Sequence, residues 1–484
     1  MKKNVWLMLM ALFNVLIPQY SNAEVKLPAI VSSNMVLQRN TTIDLWGWAD
    51  LNEKIVINAS WLDMTLETRA NDKGEWRIKV ETTNSKIPQN IKIQGKTSHI
   101  LLDNVLLGEV WLCSGQSNMA QSFKGYPGQP TYGATLALAN SKNTNLRLFQ
   151  LDRVGSNEPL KDIEKHTSWQ QASPESVLNF SAVAYFFGKQ LQEILDVPVG
   201  IIHASWGGSK VQAWISQDAI SKYQRTNLEG VDITNNTRNI PAALFNGMIN
   251  PLIPYTIKGA LWYQGESDRM DPEKYKKLFP AMVKDWRSRW GIGDFPFYYV
   301  QISPYRYNDN NAFQGVDNSA FLREAQLQCL DLIPNSGIAI TMDIGDEKFI
   351  HPPKKKEVAD RLLFNALHQT YGFETIDSAA PIFNTQSVKD GGIVLEFRNA
   401  ETGLYTYDDL EGFLIAGKNK VFYPATARIV QGKDVFVSSD EVPDPVAVRY
   451  AWKNWIVGTL YDNNLLPASS FRTDTWNEAT QAGK

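Results

Sequence analysis

The sequence predicts an α/β fold in which a three-layer domain with a parallel sheet is flanked by two β-rich segments. Three observations support this prediction. The chain has 484 residues, which is too long for a single hydrophobic core. Apolar runs alternate with helical patterns across residues 107–375. Strand-like stretches broken by frequent turns stand on either side of this region.

The first 23 residues are expected to form a secretory signal peptide. Lys2 and Lys3 precede an apolar run that is short for a membrane span, and Ser21 and Ala23 place small residues before a cleavage site. Cleavage after Ala23 predicts export to the periplasm or the extracellular space, with no membrane association afterwards. The alternative is an uncleaved N-terminal anchor.

The two flanking segments are expected to be β-rich modules. In residues 24–106, stretches such as TTIDLWGWA and GEWRIKVETT carry β-branched and aromatic residues in partial alternation, which is typical of a small β-sandwich-like domain. In residues 376–484, GGIVLEFRNA and KVFYPATARIVQGKDVFVSS return to this pattern. The second segment is either a separate module or a set of strands that completes the first.

Five apolar runs in residues 107–375 are expected to be the buried strands of the parallel sheet. They are EVWLCSG, VPVGIIHASWGG, IKGALWYQGES, FPFYYVQIS and GIAITMDIGD. The segments FSAVAYFFGKQLQEIL, PEKYKKLFPAMVKDWRSRW and SAFLREAQLQCLDLI have helical spacing. Nearly every strand ends in a small polar or glycine-rich cluster. Because ligands bind at the carboxyl ends of such strands, these clusters are the predicted site.

Composition and charge argue against several partners. The formal net charge is -3 and no basic stripe is present, so nucleic acid is not an expected partner. Two cysteines and five histidines, without an H-E-x-x-H or C-x-x-C motif, predict neither a metal site nor a cofactor. Cys113 and Cys329 could form one disulfide in an exported protein or remain free thiols.

In VWLCSGQSNM an apolar run gives way to a polar cluster that contains Ser117, which the residues alone leave as either a turn residue or a nucleophile. A serine at a strand-to-helix turn exposes its hydroxyl at the sheet edge, where backbone N–H groups can hold an oxyanion. Gly115 permits a tight turn before it. The segment is not a G-x-S-x-G elbow, because Met119 stands where the second glycine would be.

Three further strand ends carry groups suited to acyl transfer. Gly207 and Gly208 in ASWGGS can present an unobstructed N–H group or form a plain tight turn. In LWYQGESD, Gln264 could donate to an oxyanion and Glu266 could orient an imidazole, although acids there also suit a helix N-terminus. His351 is the one histidine of five in a loop between a strand and a helix, which makes it the candidate general base.

The ordered motifs GQSNM, SWGGS, WYQGES and DIGDEKFIHP resemble the sialate O-acetylesterase branch of the SGNH hydrolases. LPAIVSSNMVLQR and LPASSFRTD are also typical, so the resemblance extends over nearly the whole mature chain. It implies a flavodoxin-like SGNH sheet and removal of O-acetyl groups from carbohydrates, most directly from sialate. Plant polysaccharide such as xylan or xyloglucan is the alternative substrate. The alternative of another class is a non-catalytic carbohydrate-binding protein.

The resemblance also implies roles for individual residues. Ser117 matches the nucleophile and His351 the general base. Gly208 and Gln264 match the oxyanion donors that act beside the Ser117 N–H group. Glu266 matches the acid of related acetylxylan esterases. An arginine or lysine facing the sugar carboxylate would favour sialate as the substrate.

The sequence departs from the family pattern at the acid that would orient the imidazole. Many SGNH enzymes carry an aspartate two or three residues before the histidine, where this chain has Phe349 and Lys348. The candidate acids are Glu266, Asp343 and Asp346. Glu266 is favoured, and the alternative is a dyad in which a backbone carbonyl orients the ring.

Overall fold

A computed structural model describes residues 24–163, 167–234, 236–307, 318–476 and 480–481. The signal peptide and the export that it implies stay predictions, because residues 1–23 lie outside these ranges. No helix of the described chain is long and apolar enough to cross a membrane. The same ranges hold no group of three or more His, Cys, Asp or Glu side chains arranged for a metal ion.

The N-terminal β-rich segment forms a two-stranded sheet and a group of strands that joins the central sheet. Its strands are β1 (Val36–Gln38), β2 (Thr42–Trp48), β3 (Lys54–Ala59), β4 (Leu66–Arg69), β5 (Glu75–Glu81) and β6 (Gln89–Gln94). Strand β2 pairs with β5, whereas β3 pairs with both β4 and β6. In β6, alternate residues such as Ile91 and Ile93 are fully buried, which places one face of this strand on a core.

A central sheet with seven strands along its main path confirms the predicted α/β class. Its strands are β7 (His99–Gly115), β8 (Asn143–Gln150), β9 (Gln170–Ala172), β10 (Val199–Ser205), β11 (Gly259–Tyr263), β12 (Phe297–Val300) and β13 (Ser336–Ala339). The spatial order is β13-β12-β11-β7-β10-β8-β9, and all neighbours are parallel except β8 and β9. Five of these strands coincide with the five predicted apolar runs.

Strand β7 joins the N-terminal sheets to the central sheet without a break. Its first half pairs antiparallel with β6, and its second half lies parallel between β10 and β11. Leu106 also pairs with Val36 of β1. The boundary predicted after residue 106 therefore lies inside one continuous strand.

Helices cover both faces of the central sheet and form the predicted three layers. They are α1 (Ser117–Ala120), α2 (Ala134–Ala139), α3 (Pro174–Leu178), α4 (Ala182–Leu195), α5 (Gln217–Ile220), α6 (Pro272–Trp290), α7 (Asn318–Gln328) and α8 (Lys355–Asn365). Helices α4 and α8 share a core with Trp111 and Cys113 of β7. Helix α6 packs on the opposite face, with Val110 and Leu112.

Short 3₁₀ and π-helical turns complete the described helical structure. The 3₁₀ turns are Val211–Trp214, Thr237–Asn239, Asn250–Leu252, Glu266–Asp268 and Cys329–Asp331. The π turns are Phe245–Ile249 and Ala366–Thr370.

The two cysteines are buried free thiols, so the disulfide left open by the sequence does not form in this structure. They lie in different cores, one on each face of the sheet. Burial raises the pKa of both Cys113 and Cys329, which keeps the thiols protonated near neutral pH.

The C-terminal β-rich segment contains two larger sheets and one strand pair. Its strands are β14 (Ile382–Lys389), β15 (Gly392–Arg398), β16 (Leu404–Tyr405), β17 (Phe413–Ala416), β18 (Val421–Pro424), β19 (Thr426–Val430), β20 (Asp434–Ser438), β21 (Ala447–Tyr450), β22 (Tyr461–Asp462), β23 (Phe471–Arg472) and β24 (Thr480–Gln481). The sheet orders are β14-β15-β20-β19 and β23-β21-β17-β18-β24, and β16 pairs with β22.

This C-terminal segment is bonded to the central domain through buried polar groups. Gln301, which follows β12, donates to the Ser469 hydroxyl at 2.8 Å. Arg323 of α7 donates to the Ser470 hydroxyl at 2.9 Å. Because these groups are buried, the bonds indicate that the segment supports the central sheet.

Candidate active site

Ser117 begins α1 directly after the turn that ends β7. Gly115 has a φ of +135°, and a Cβ there would lie 2.2 Å from the Tyr263 carbonyl oxygen, so only glycine fits this turn. Ser117 is partly exposed, and its Oγ forms no hydrogen bond with any described residue. The hydroxyl is therefore open to a substrate.

The glycine turn of SWGGS passes beside Ser117. A Cβ on Gly207 would lie 3.3 Å from the Ser117 Cβ, and Gly208 has a φ of +73°. Within the described ranges, neither the Gly208 N–H nor the Ser117 N–H donates to a protein acceptor. Both groups are therefore available to an oxyanion beside the Ser117 hydroxyl.

His351 lies in the loop between β13 and α8, next to the serine turn. The Asn118 Nδ2 donates to the Ile350 carbonyl at 3.0 Å, so the neighbours of the two predicted catalytic residues are in contact. The Tyr126 hydroxyl donates to the Ser117 carbonyl at 3.0 Å, and its ring centroid lies 4.7 Å from that of His351. The structure thus brings Ser117 and His351 to one edge of the sheet.

The imidazole of His351 is held in one tautomer. Its Nδ1 lies 2.7 Å from the Gln129 Oε1. An amide oxygen only accepts hydrogen bonds, so Nδ1 carries the proton and Nε2 keeps its lone pair. Burial, together with the charge of Lys355, lowers the pKa of His351 to about 4. The ring is therefore neutral and able to accept a proton near neutral pH.

Two of the three candidate acids are bonded away from the imidazole. Asp343 forms a bidentate ion pair with Arg361, with oxygen–nitrogen distances of 2.8 and 2.7 Å. Asp346 accepts from the backbone N–H groups of the second and third residues after it, at 2.8 and 3.0 Å. These bonds give the two aspartates structural roles in the loop after β13.

Glu266 belongs to a buried network behind the serine turn. Its Oε1 accepts from the Asn118 Nδ2 at 2.5 Å, and the Lys355 Nζ donates to the Asn118 Oδ1 at 2.6 Å. Burial raises the pKa of Glu266 and lowers the pKa of Lys355 to about 7. The favoured acid therefore reaches His351 only indirectly, through the amide that bonds the Ile350 carbonyl.

Gln264 is fully buried, and its amide nitrogen already has two acceptors. Its Nε2 donates to the Ser209 carbonyl at 2.9 Å and to the Asp268 Oδ2 at 2.6 Å. Burial raises the pKa of Asp268 to about 6. The side chain thus anchors the residue that follows Gly208, and direct donation to an oxyanion would require one of these bonds to break.

Sequence reasoning missed the residues that contact the imidazole. Tyr126 and Gln129 enclose a Pro-Gly turn and exchange two backbone hydrogen bonds, of 3.0 and 2.8 Å. The Pro-Gly pair predicts a turn, and Gly128 has the positive φ that such a turn requires. Nothing in the sequence, however, links this turn to a histidine 222 positions away.

Comparison with known proteins identifies the family. Residues 107–351 match the family model described as carbohydrate esterase, sialic acid-specific acetylesterase. The chain belongs to this family. The matched range begins in β7 and ends on His351, so it contains Ser117, Gly208, Gln264, Glu266 and His351.

Similar proteins agree with this assignment over most of their length. Human sialate O-acetylesterase is 25% identical over 475 residues, covering 88% of this chain and 87% of the relative. The mouse protein of that name is also 25% identical, covering 91% and 93%. A solved carbohydrate acetylesterase from Xanthomonas citri has a TM-score of 0.85 and 33% identity, covering 93% of this chain and 100% of that chain.

The chain is therefore an enzyme that removes O-acetyl groups from carbohydrates. The alternative of a non-catalytic carbohydrate-binding protein is set aside. The resemblance of the four sequence motifs to this esterase family is confirmed.

We expect acid to destabilise the fold, because buried histidines must take up protons. Burial lowers the pKa of His203 to about 3 and that of His351 to about 4, from an ordinary value of 6.5. Below 6.5 the unfolded chain binds these protons first, so the free energy of unfolding falls as the pH drops towards the folded values. Urea unfolding at a series of pH values measures the slope of the free energy of unfolding against pH.

A His203→Asn variant is the matched test of that slope. His203 is enclosed, with Nδ1 2.8 Å from the Gln150 Oε1 and Nε2 2.6 Å from the Ser205 Oγ. The variant should lose stability less steeply than the wild type on acidification, whatever its stability at neutral pH. An unchanged slope would show that His203 does not control the acid response.

Proposed function

We propose that the chain hydrolyses acetyl esters of sugars by two-step acyl transfer through Ser117 and His351. The His351 Nε2 takes the proton of Ser117, whose Oγ attacks the acetyl carbonyl. The sugar hydroxyl leaves with that proton. Water, deprotonated by the same imidazole, then releases acetate from the acetyl-serine.

One observation supports this mechanism: the Ser117 hydroxyl and the His351 Nε2 lie at the same sheet edge, and neither is hydrogen-bonded to a described residue. Tyr126 contacts both residues, through the Ser117 carbonyl and the His351 ring. Loss of acetate release in a Ser117→Ala variant is the direct test, and it is developed in the Discussion.

The oxyanion of each step is proposed to rest on the N–H groups of Ser117 and Gly208. Preorganised backbone donors stabilise the transition state because they need no reorientation as charge develops. Gln264 supports the second donor by bonding the Ser209 carbonyl at 2.9 Å. We assign it this supporting role, since its amide nitrogen is already bonded in the resting enzyme.

The sugar is proposed to carry a carboxylate, as sialate does. A Cβ on Gly208 would lie 3.3 Å from the guanidinium carbon of Arg238. The charge of Arg153 acts on both Tyr126 and His203, which places this arginine near the same edge. Both arginines are exposed, and neither forms an ion pair with a carboxylate of the described chain. Their charges are therefore available to an anionic sugar.

An acetylated plant polysaccharide such as xylan or xyloglucan is the second candidate substrate. The Xanthomonas citri enzyme is described only as a carbohydrate acetylesterase, and its 33% identity exceeds the 25% identity of the human sialate O-acetylesterase. The proposed catalytic residues serve both substrates. The two candidates therefore differ in the use of the arginines rather than in the chemistry.

Arg153→Met and Arg238→Met variants should separate the two substrates. We expect kcat/KM for O-acetylated sialate to fall roughly tenfold or more in at least one variant, the effect of losing a hydrogen bond to a charged group. Rates on acetylated xyloglucan and on a neutral aryl acetate should not change. Arg69→Met, in strand β4 of the N-terminal sheets, is the control. Equal losses on anionic and neutral substrates would reject the carboxylate site.

A further inference from the structure

We propose that Gln129 replaces the acidic member of the triad and orients His351 through a neutral amide. This inference rests on the proposed function, because it concerns the imidazole that would activate Ser117. Gln129 is a positioning residue in this account, since it contacts the base and not the substrate.

The contact between Gln129 and the imidazole is direct. The Gln129 Oε1 lies 2.7 Å from the His351 Nδ1. The imidazole ring of His351 also packs against the ring of Tyr126, with centroids 4.7 Å apart and planes inclined at 47°. No other described residue forms a hydrogen bond with either ring nitrogen. The amide therefore decides which nitrogen keeps the lone pair.

The turn that carries Gln129 is itself held in place. Its backbone N–H donates to the Tyr126 carbonyl at 2.8 Å, and its carbonyl accepts from the Tyr126 N–H at 3.0 Å. Three residues later, the Tyr132 N–H donates to the Pro353 carbonyl at 3.0 Å, in the histidine loop. The turn is thus closed by its own backbone bonds and is joined to the histidine loop beside the imidazole contact, which limits rotation of the ring.

The absence of the aspartate that many SGNH enzymes carry before the histidine is consistent with this arrangement. Lys348 and Phe349 occupy the positions where many SGNH enzymes carry the acid, and both side chains are exposed. Asp346 bonds backbone N–H groups of its own loop instead. Because the turn of Gln129 already satisfies Nδ1, the correct tautomer needs no carboxylate.

A neutral partner changes the charge balance at the imidazole. A carboxylate at Nδ1 would stabilise the protonated ring and raise its pKa, whereas an amide does not. The titratable groups near the ring are Lys355 from α8, Glu266 behind Asn118 and the neutral Tyr126 hydroxyl, on which the charge of Arg153 acts. Lys355 opposes protonation of His351, so the base stays available in mildly acidic solution.

The test compares Gln129→Ala and Gln129→Glu by the pH dependence of kcat/KM on an aryl acetate. The alanine variant should lose about 10² in kcat with little change in KM, because a misplaced base costs about that much. The glutamate variant should keep most of the activity at neutral pH. The acid limb of its pH profile, where kcat/KM falls as the pH decreases, should shift to higher pH by about one unit or more. The reason is that the new carboxylate favours the protonated ring.

Gln150→Glu is the matched control, since Gln150 makes the same contact with the non-catalytic His203, at 2.8 Å. This variant should leave the acid limb where it is in the wild type. An unmoved limb in Gln129→Glu, or a wild-type kcat in Gln129→Ala, overturns the inference. So does a shift of the limb in Glu266→Gln alone, which would make Glu266 the orienting residue.

The failure of this inference is distinguishable from failure of the proposed function. If Ser117→Ala is inactive and the Gln129→Glu limb does not move, only the role of Gln129 is lost. If Ser117→Ala keeps full activity, the acyl-transfer mechanism fails whatever the Gln129 variants do.

Discussion

Ser117→Ala should abolish acetate release from an acetylated sugar while leaving the fold intact. The substitution removes the nucleophile, and kcat should fall on the order of 10⁶-fold, as in other serine hydrolases that lose this group. The Ser117 hydroxyl bonds to no described residue, so its removal leaves no buried partner unsatisfied. Acetate release and the thermal unfolding midpoint, measured on the same preparation, test both parts.

Ser114→Ala is the control for this experiment. Ser114 lies in β7, the strand that ends just before Ser117, and its buried hydroxyl donates to the Ala204 carbonyl at 2.6 Å. Losing this bond should reduce the free energy of unfolding by about 1 kcal/mol and leave turnover unchanged. The two variants should therefore lose different properties: Ser117→Ala loses turnover, and Ser114→Ala loses stability. A wild-type rate in Ser117→Ala would end the assignment of the nucleophile.

His351→Ala should have the second largest effect, a loss of roughly 10⁴-fold or more in kcat, because the serine then lacks a base. In the wild type, the acid limb of kcat/KM should follow the pKa of the free base, which is lowered to about 4. In the variant this limb should vanish, and the residual rate should rise with hydroxide concentration. Stopped-flow acylation with an aryl acetate measures both profiles.

His99→Ala is the control for the base, because His99 is exposed at the start of β7, in the half that pairs with β6. It should retain the wild-type pH profile. A His351→Ala variant that keeps a substantial part of the wild-type rate, with the same acid limb, would show that another group removes the serine proton.

Local patterns were sufficient to predict most of the central sheet. The apolar runs correspond to strands because both faces of the sheet are covered by helices, so each strand is apolar throughout. Strand β8 was missed because its sequence, NTNLRLFQ, is interrupted by Arg147. The structure buries this arginine and bonds its guanidinium to Asn34 and Asn104, at 3.2 and 3.3 Å. A buried cation with distant amide partners leaves no local apolar signal.

The candidate site was also predicted only in part, because its motif residues are local in sequence whereas the contact that orients the base joins two distant loops. The sequence brought out Ser117, Gly208 and His351 because each follows a strand in a recognisable motif. The orienting partner of the base was assigned to an acid by resemblance, with Glu266 favoured, whereas the structure places the Gln129 amide against Nδ1. Such a contact depends on how two loops fold together, and one sequence cannot specify it.

Covalent labelling tests the central claim most directly. An alkyl fluorophosphonate reacts with an activated serine hydroxyl and mimics the tetrahedral intermediate that the proposed oxyanion donors stabilise. We expect inactivation in step with one adduct, mapped by mass spectrometry to the peptide that carries Ser117, and slower labelling of His351→Ala. Full inactivation with the adduct on another residue, or with Ser117 unmodified, would contradict the account.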